Sequence, residues 1–158
     1  MLVRIREMKF ITVSQKYFDL CGDDPEILFR ENRRPHLLVL SLKYKGATRR
    51  FAIPLRSNIP ANTPKEQYFA LPPRPSTRPG NRHGLHYIKM FPITKEYQEK
   101  FWVGEKSSYV LFQEIISKNE KEIVDACQKY LDNYAAGTHP QYSVNIDKAL
   151  EKLASTQK

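Results

Sequence analysis

An α+β fold, strands first and helices later, is what this sequence predicts, and three observations carry it. Short β-rich runs separated by turn residues fill the chain up to Ile93. Apolar residues recur at helical spacing from Ser107 onward. No internal repeat, heptad seam or linker interrupts the 158 residues, of which 41% are hydrophobic, so a single domain spanning 1–158 with one substantial core is expected.

Phe10 to Ser14 is the first β-rich run, and Ser14 stands where it can cap a brief helix from Gln15 to Leu20. Gly22-Asp23-Asp24-Pro25 ends that helix. Leu37 to Leu42 and Phe51 to Asn58 then flank Lys43-Tyr44-Lys45-Gly46, the pattern of an antiparallel hairpin, with Arg33-Arg34-Pro35-His36 leading into it. Pro60, Pro64, Pro72, Pro73, Pro75 and Pro79 make residues 60 to 81 irregular, because each removes a backbone donor and fixes φ; only Tyr68 to Leu71 reads as a strand there. Leu85 to Ile93 is the last convincing strand, and Thr94-Lys95-Glu96-Tyr97 begins the change to helical spacing. Tyr109, Phe112, Ile116, Ile123, Cys127 and Leu131 fall on one face of a long helix that Gly137 and Pro140 stop. A shorter helix, Asn145 to Leu153, follows.

Charge narrows the function. Between Arg30 and Arg56 the cations Arg30, Arg33, Arg34, Lys43, Lys45, Arg49, Arg50 and Arg56 face the single acid Glu31. The whole chain carries 26 Lys+Arg against 17 Asp+Glu, a formal +9. One-signed charge of this density is either a solvated face or the field that gathers a polyanion, and the bias of the whole chain favours a nucleic acid. The proline-rich stretch adds Arg74, Arg78 and Arg82 with no acid among them, a basic lip over a binding groove.

Several classes drop out. Arg4, Arg6 and Glu7 interrupt any signal-peptide core, and no run approaches a membrane span, so a soluble, cytoplasmic protein is expected. Cys21 and Cys127 have no Cys or His neighbour at ligand spacing and read as reduced thiols; neither metal nor cofactor is implied. There is no phosphate-cradling glycine loop, nucleotide fingerprint or nucleophile elbow. Glu114, Glu120, Glu122 and Asp125 would repel phosphates from the long helix, which is therefore no DNA recognition helix. The two ends of the hairpin meet in space, which gathers His36, Arg56 and Ser57 at one end of a sheet: a base, a cation and a hydroxyl suited to work on a phosphate.

Four segments carry a resemblance. Lys9-Phe10-Ile11-Thr12-Val13-Ser14-Gln15-Lys16-Tyr17, Ala52-Ile53-Pro54-Leu55-Arg56-Ser57, Tyr87-Ile88-Lys89-Met90-Phe91-Pro92-Ile93 and Tyr142-Ser143-Val144-Asn145-Ile146 resemble, in order and spacing, the ToxN/AbiQ family of type III toxins. The Arg-Pro-His opening and the Leu-Arg-Ser-Asn-Ile ending are closest to its CptN and TenpN branches. The resemblance implies a highly twisted antiparallel β-barrel of the Kid/MazF (SH3-like) type surrounded by helices. It also implies a metal-independent endoribonuclease toxin held in a closed assembly by a small antitoxin RNA of pseudoknot repeats, which the toxin processes. Cellular RNA would be its substrate and phage defence its setting.

Metal-free RNA cleavage needs a base for the 2′-hydroxyl, an acid for the departing 5′ oxygen and cations for the phosphorane. The family pattern puts its first basic residue at His36 or, with a shifted alignment, at Arg34; Arg56 would bind the scissile phosphate and Ser57 would donate to it. The family's two hydroxyls followed by proline and lysine are replaced here by Arg56-Ser57-Asn58-Ile59, so the lysine is missing. RNA contacts are expected from Lys16, Arg33, Arg34, Asn58, Arg78 and Arg82, from the His83 and His86 cluster, and from Lys89. Tyr17 is either an exposed ring that stacks on an unpaired base or a core tyrosine with its hydroxyl at the rim. His86 alternates with Ile88 and Met90, which also permits an inward, structural role. Two further readings share the charge pattern: a non-catalytic RNA-binding protein, and a MazF-type toxin inhibited by a protein antitoxin.

Overall fold

The β-rich runs pair much as their sequences predict. A computed structural model describes residues 9–27, 37–100 and 108–156. Its strands are β1 (Lys9–Val13), β2 (Leu37–Tyr44), β3 (Ala47–Ile59), β4 (Tyr68–Leu71), β5 (Arg82–His86), β6 (Phe91–Pro92) and β7 (Gln98–Lys100), and its helices are α1 (Gln15–Cys21), α2 (Ser108–Lys118), α3 (Glu120–Ala135) and α4 (Ile146–Ser155). Every pairing is antiparallel. The order is β4-β5-β3-β2-β1-β7, with β6 also on β3. Among the described residues the sheet therefore stays open, with β4 and β7 at its edges, where the resemblance implied a closed barrel.

The β2–β3 hairpin is the spine. Tyr44 pairs with Ala47 across the two-residue turn Lys45-Gly46, whose φ values of 49° and 82° are both positive, as a type I′ turn requires. Over residues 38–40 and 51–53 its strands are apolar on both faces because both faces are covered there. Leu38, Leu40, Leu42, Phe51 and Ile53 point into a core under α2 and α3, while Val39 and Ala52, alternate in register, join a second core with α1 and α4. That second core holds Val13, Tyr17, Phe18, Phe91, Ile93, Ala149 and Leu153. One core was expected; the sheet separates two.

Three elements differ from the sequence reading. The long helix is two, broken at Asn119, whose side chain donates to the Ile115 carbonyl at 2.7 Å and so competes with the helical backbone. Phe112 and Ile116 on α2 and Ile123 and Cys127 on α3 still face one core, which is why the spacing read as continuous. The strand expected from Leu85 to Ile93 is split by a 3-10 turn, Tyr87–Lys89, in which all three residues are buried and no alternation exists. The short edge strand β7 follows where the sequence reads as the beginning of helical spacing. Ser14 does occupy the N-cap position of α1, but its side chain makes no capping bond.

α4 is fastened to the chain's first third. Lys152 pairs with Asp23, the Asn145 amide donates to Asp24 at 2.9 Å, and buried Lys89 donates both to Glu26 and, at 2.8 Å, to the Tyr142 carbonyl. No helix among the described residues is long and apolar enough to cross a membrane.

Candidate nucleic-acid interface

The second half of β3 leaves the hairpin and pairs with β5. Arg56 lies opposite Gly84, and the register slips before Ile59 meets Arg82, so Ser57 and Asn58 sit in an irregular, half-buried stretch. β4 closes the other side of β5 tightly: a Cβ on Gly84 would lie 2.0 Å from the Phe69 carbonyl oxygen, so only glycine fits.

Arg56 reaches across β5 to His86, with its Nη1 3.3 Å from His86 Nδ1. A guanidinium only donates, so Nδ1 accepts and the ring proton sits on Nε2. His86 is 2% exposed, and its Nε2 is buried without a partner among the described residues. Burial first, then the charges of Arg56 and Lys89, push its pKa down to about 3. The imidazole is thus neutral at ordinary pH. It serves as an acceptor that orients Arg56.

His83, on the same strand, faces inward as well. Its Nδ1 is 2.9 Å from the Pro72 carbonyl, which can only accept, so Nδ1 carries the proton. Its ring packs 4.7 Å from that of Phe112. Burial lowers its pKa, opposed by the Pro72 bond and aided by Arg74.

Asn58 organises the basic lip. Its Oδ1 accepts from the Arg78 amide at 2.7 Å and from Asn81 Nδ2 at 3.2 Å, and its Nδ2 donates to the Ser76 carbonyl at 2.9 Å. Arg74 is pinned by a 2.8 Å bond from its Nη1 to the Tyr109 hydroxyl, with its guanidinium 5.1 Å from that ring's centre. Arg78 and Arg82 are exposed. No Asp or Glu occurs from Gln67 to Lys95, the stretch that carries Arg74, Arg78 and Arg82, and Arg56 pairs with its strand β5. The arrangement presents fixed cations and a hydroxyl to an anion.

The structure sorts the predicted residues. It brings Arg56, Ser57, Asn58, Arg78 and Arg82 to one end of the sheet. Lys16 is exposed on α1. Tyr17 is the core tyrosine: fully buried, its ring stacks on Phe91 at 5.0 Å and its hydroxyl donates to the Pro92 carbonyl at 2.8 Å, so the exposed stacking ring is not what forms. Lys89, at 4% exposure, is spent on Glu26 and Tyr142, and His83 and His86 are inside the protein; none of the three presents a surface contact. His36, Arg33 and Arg34 lie outside the described residues. The role of Asn58 as the tether of the lip had no sequence signal, because its partners lie 18 to 23 positions away.

No family profile matches this chain, and no curated protein sequence does. Solved structures do. One, from work on a processed non-coding RNA that regulates a bacterial antiviral system, is 21% identical, with a TM-score of 0.68 over 96% of this chain and 100% of its own. A second belongs to a bacterial type III toxin-antitoxin system in which a non-coding RNA pseudoknot selectively inhibits the toxin; it is 17% identical, with a TM-score of 0.71 over 96% and 98% of the two chains. The third is AbiQ, a lactococcal anti-phage endoribonuclease of a type III system, 14% identical, with a TM-score of 0.70 over 96% and 99%. The resemblance drawn from four short motifs therefore holds, at the level of fold, along nearly the whole chain: this protein is folded like the type III toxin-antitoxin endoribonuclease AbiQ.

Proposed function

We propose that this protein is the endoribonuclease toxin of a type III toxin-antitoxin system, acting in the cytoplasm and restrained by a small RNA of pseudoknot repeats that it processes itself. The observation that carries the reading is the coincidence of that fold over 96% of the chain with a gathering of arginines at the end of β3, three of them in a stretch, 67 to 95, that carries no Asp or Glu in sequence. The reaction is transesterification without metal. The 2′ oxygen of the ribose attacks the adjacent phosphorus, its proton passes to a base, the P–O5′ bond breaks, and the departing oxygen is protonated. A 2′,3′-cyclic phosphate and a 5′-hydroxyl result.

Arg56, held in place by His86, neutralises the phosphorane, and Ser57 donates a hydrogen bond to a phosphate oxygen. His83 and His86 are buried and their protons are fixed by Pro72 and Arg56, and His139 is bonded to the Tyr134 carbonyl, so His36 is this reading's base. Arg78 and Arg82 hold the flanking phosphates. RNA incubated with the protein in excess chelator tests the reading: cyclic phosphate ends should form, and RNA with a 2′-deoxyribose at the scissile position should bind uncut. Cleavage of the deoxy substrate would overturn the mechanism, and RNA binding without cleavage would leave a non-catalytic RNA-binding protein.

A further inference from the structure

A groove of about 300 Å³ opens away from the arginine cluster, between the start of β3, the segment 92–95 and α4. Ile93, Leu150 and Leu153 give it apolar walls, and Arg49, Arg50 and Lys95 give it positive ones. All three cations are exposed and make no ion pair among the described residues, whereas the lysines of the neighbouring α4 are tied to Asp23 and Lys45 is tied to Asp147. No lining residue is acidic. The Thr94 hydroxyl, also in the lining, is buried and lacks a hydrogen-bond partner among the described residues.

Apolar walls beside unpaired cations suit a ligand with one flat apolar face and one anionic edge. From this we infer that the groove is a second RNA subsite, seating one unpaired nucleotide with its base against Ile93, Leu150 and Leu153 and its phosphates on Arg49, Arg50 and Lys95. β3 joins this subsite to Arg56: at about 3.3 Å per residue, the six residues from Arg50 to Arg56 span roughly 20 Å, a distance that a few nucleotides cross. The inference rests on the proposed RNA-cutting activity. It adds that long RNA is held at two places while a very short one reaches only the first.

The test is the triple variant Arg49→Ala, Arg50→Ala, Lys95→Ala, compared with the unaltered chain on random-sequence RNA pools of about 20 nucleotides and of about four. Losing three phosphate contacts should flatten the log K against log salt slope for the long pool by about 2. KM for the long pool should rise roughly tenfold, at least fivefold more than for the short pool. Leu150→Glu, which sets an acid in the apolar wall, should reproduce the long-pool loss, with thermal melting confirming that the fold persists. Equal losses on both pools, or no loss on either, would overturn the subsite while leaving the RNA-cutting reading intact. If the unaltered chain neither binds nor cuts either pool, the underlying reading falls, and the subsite with it.

Discussion

Arg56 is oriented by a histidine that cannot be protonated without losing it. Arg56→Ala should cut RNA cleavage roughly a hundredfold, the loss expected for a charge-stabilising group, measured as kcat/KM on a fixed RNA. His86→Leu should lose much of the same activity while His86→Asn, which keeps an acceptor, recovers part of it. Neither change should move a limb of the pH–rate profile, since the ring transfers no proton in this scheme. Stability should respond to pH instead. His86 takes up its proton near 6.5 when unfolded but only near 3 when folded, so the stability it contributes is complete above about 6.5 and is lost as pH falls toward 3. His83, also lowered, acts in the same direction. Denaturant titrations of the unaltered chain over that window should slope by up to about 1.4 kcal/mol per pH unit for each such proton, and His86→Asn should flatten the slope. The sequence told that Arg56 and Ser57 belong together and, through the alternation with Ile88 and Met90, offered an inward His86; it did not tell that the two meet, because they lie 30 positions apart on different strands.

At the scale of elements, strands were legible wherever turn chemistry fixed their ends. The basic turn Lys43-Tyr44-Lys45-Gly46 announced the hairpin, which the structure tightens to Lys45-Gly46, and the prolines announced the lip. Edge strand β7 was not legible, because Gln98, Glu99 and Lys100 lack the β-branched and aromatic residues that mark a half-buried strand. The helix break at Asn119 was hidden by an apolar face that continues across it. Two changes probe the elements that shape the arginine cluster. Asn58→Ala removes three hydrogen bonds to the lip and should cost about 1–3 kcal/mol by thermal melting, with faster amide exchange at Arg78 and Asn81. Gly84→Ala forces β4 off β5 and should destabilise by roughly 3 kcal/mol or more.

For the whole molecule, the +9 charge should make the proposed RNA binding fall steeply with salt. Charge reversal at Arg78 and Arg82 should weaken RNA binding far more than reversal at Lys118 and Lys121, since Lys121 already pairs with Asp125 on α3 at 2.7 Å; filter binding at several salt concentrations decides it, and equal losses would place the RNA elsewhere. The class and order of elements were visible in composition and periodicity, whereas the openness of the sheet and its second core depend on pairings between residues far apart in the chain. That second core has a consequence in time. β1 and α1 are made early, yet their core is completed only when α4 arrives to add Ala149 and Leu153 and to take Asp23 and Asp24 as partners. A growing chain that has reached only Gly137 has the arginines around Arg56 but no second wall to hold the sheet, and should neither fold nor cut. Synthesis itself would thus delay the proposed cutting activity until nearly every described element exists, an interval in which the proposed antitoxin RNA can already be waiting.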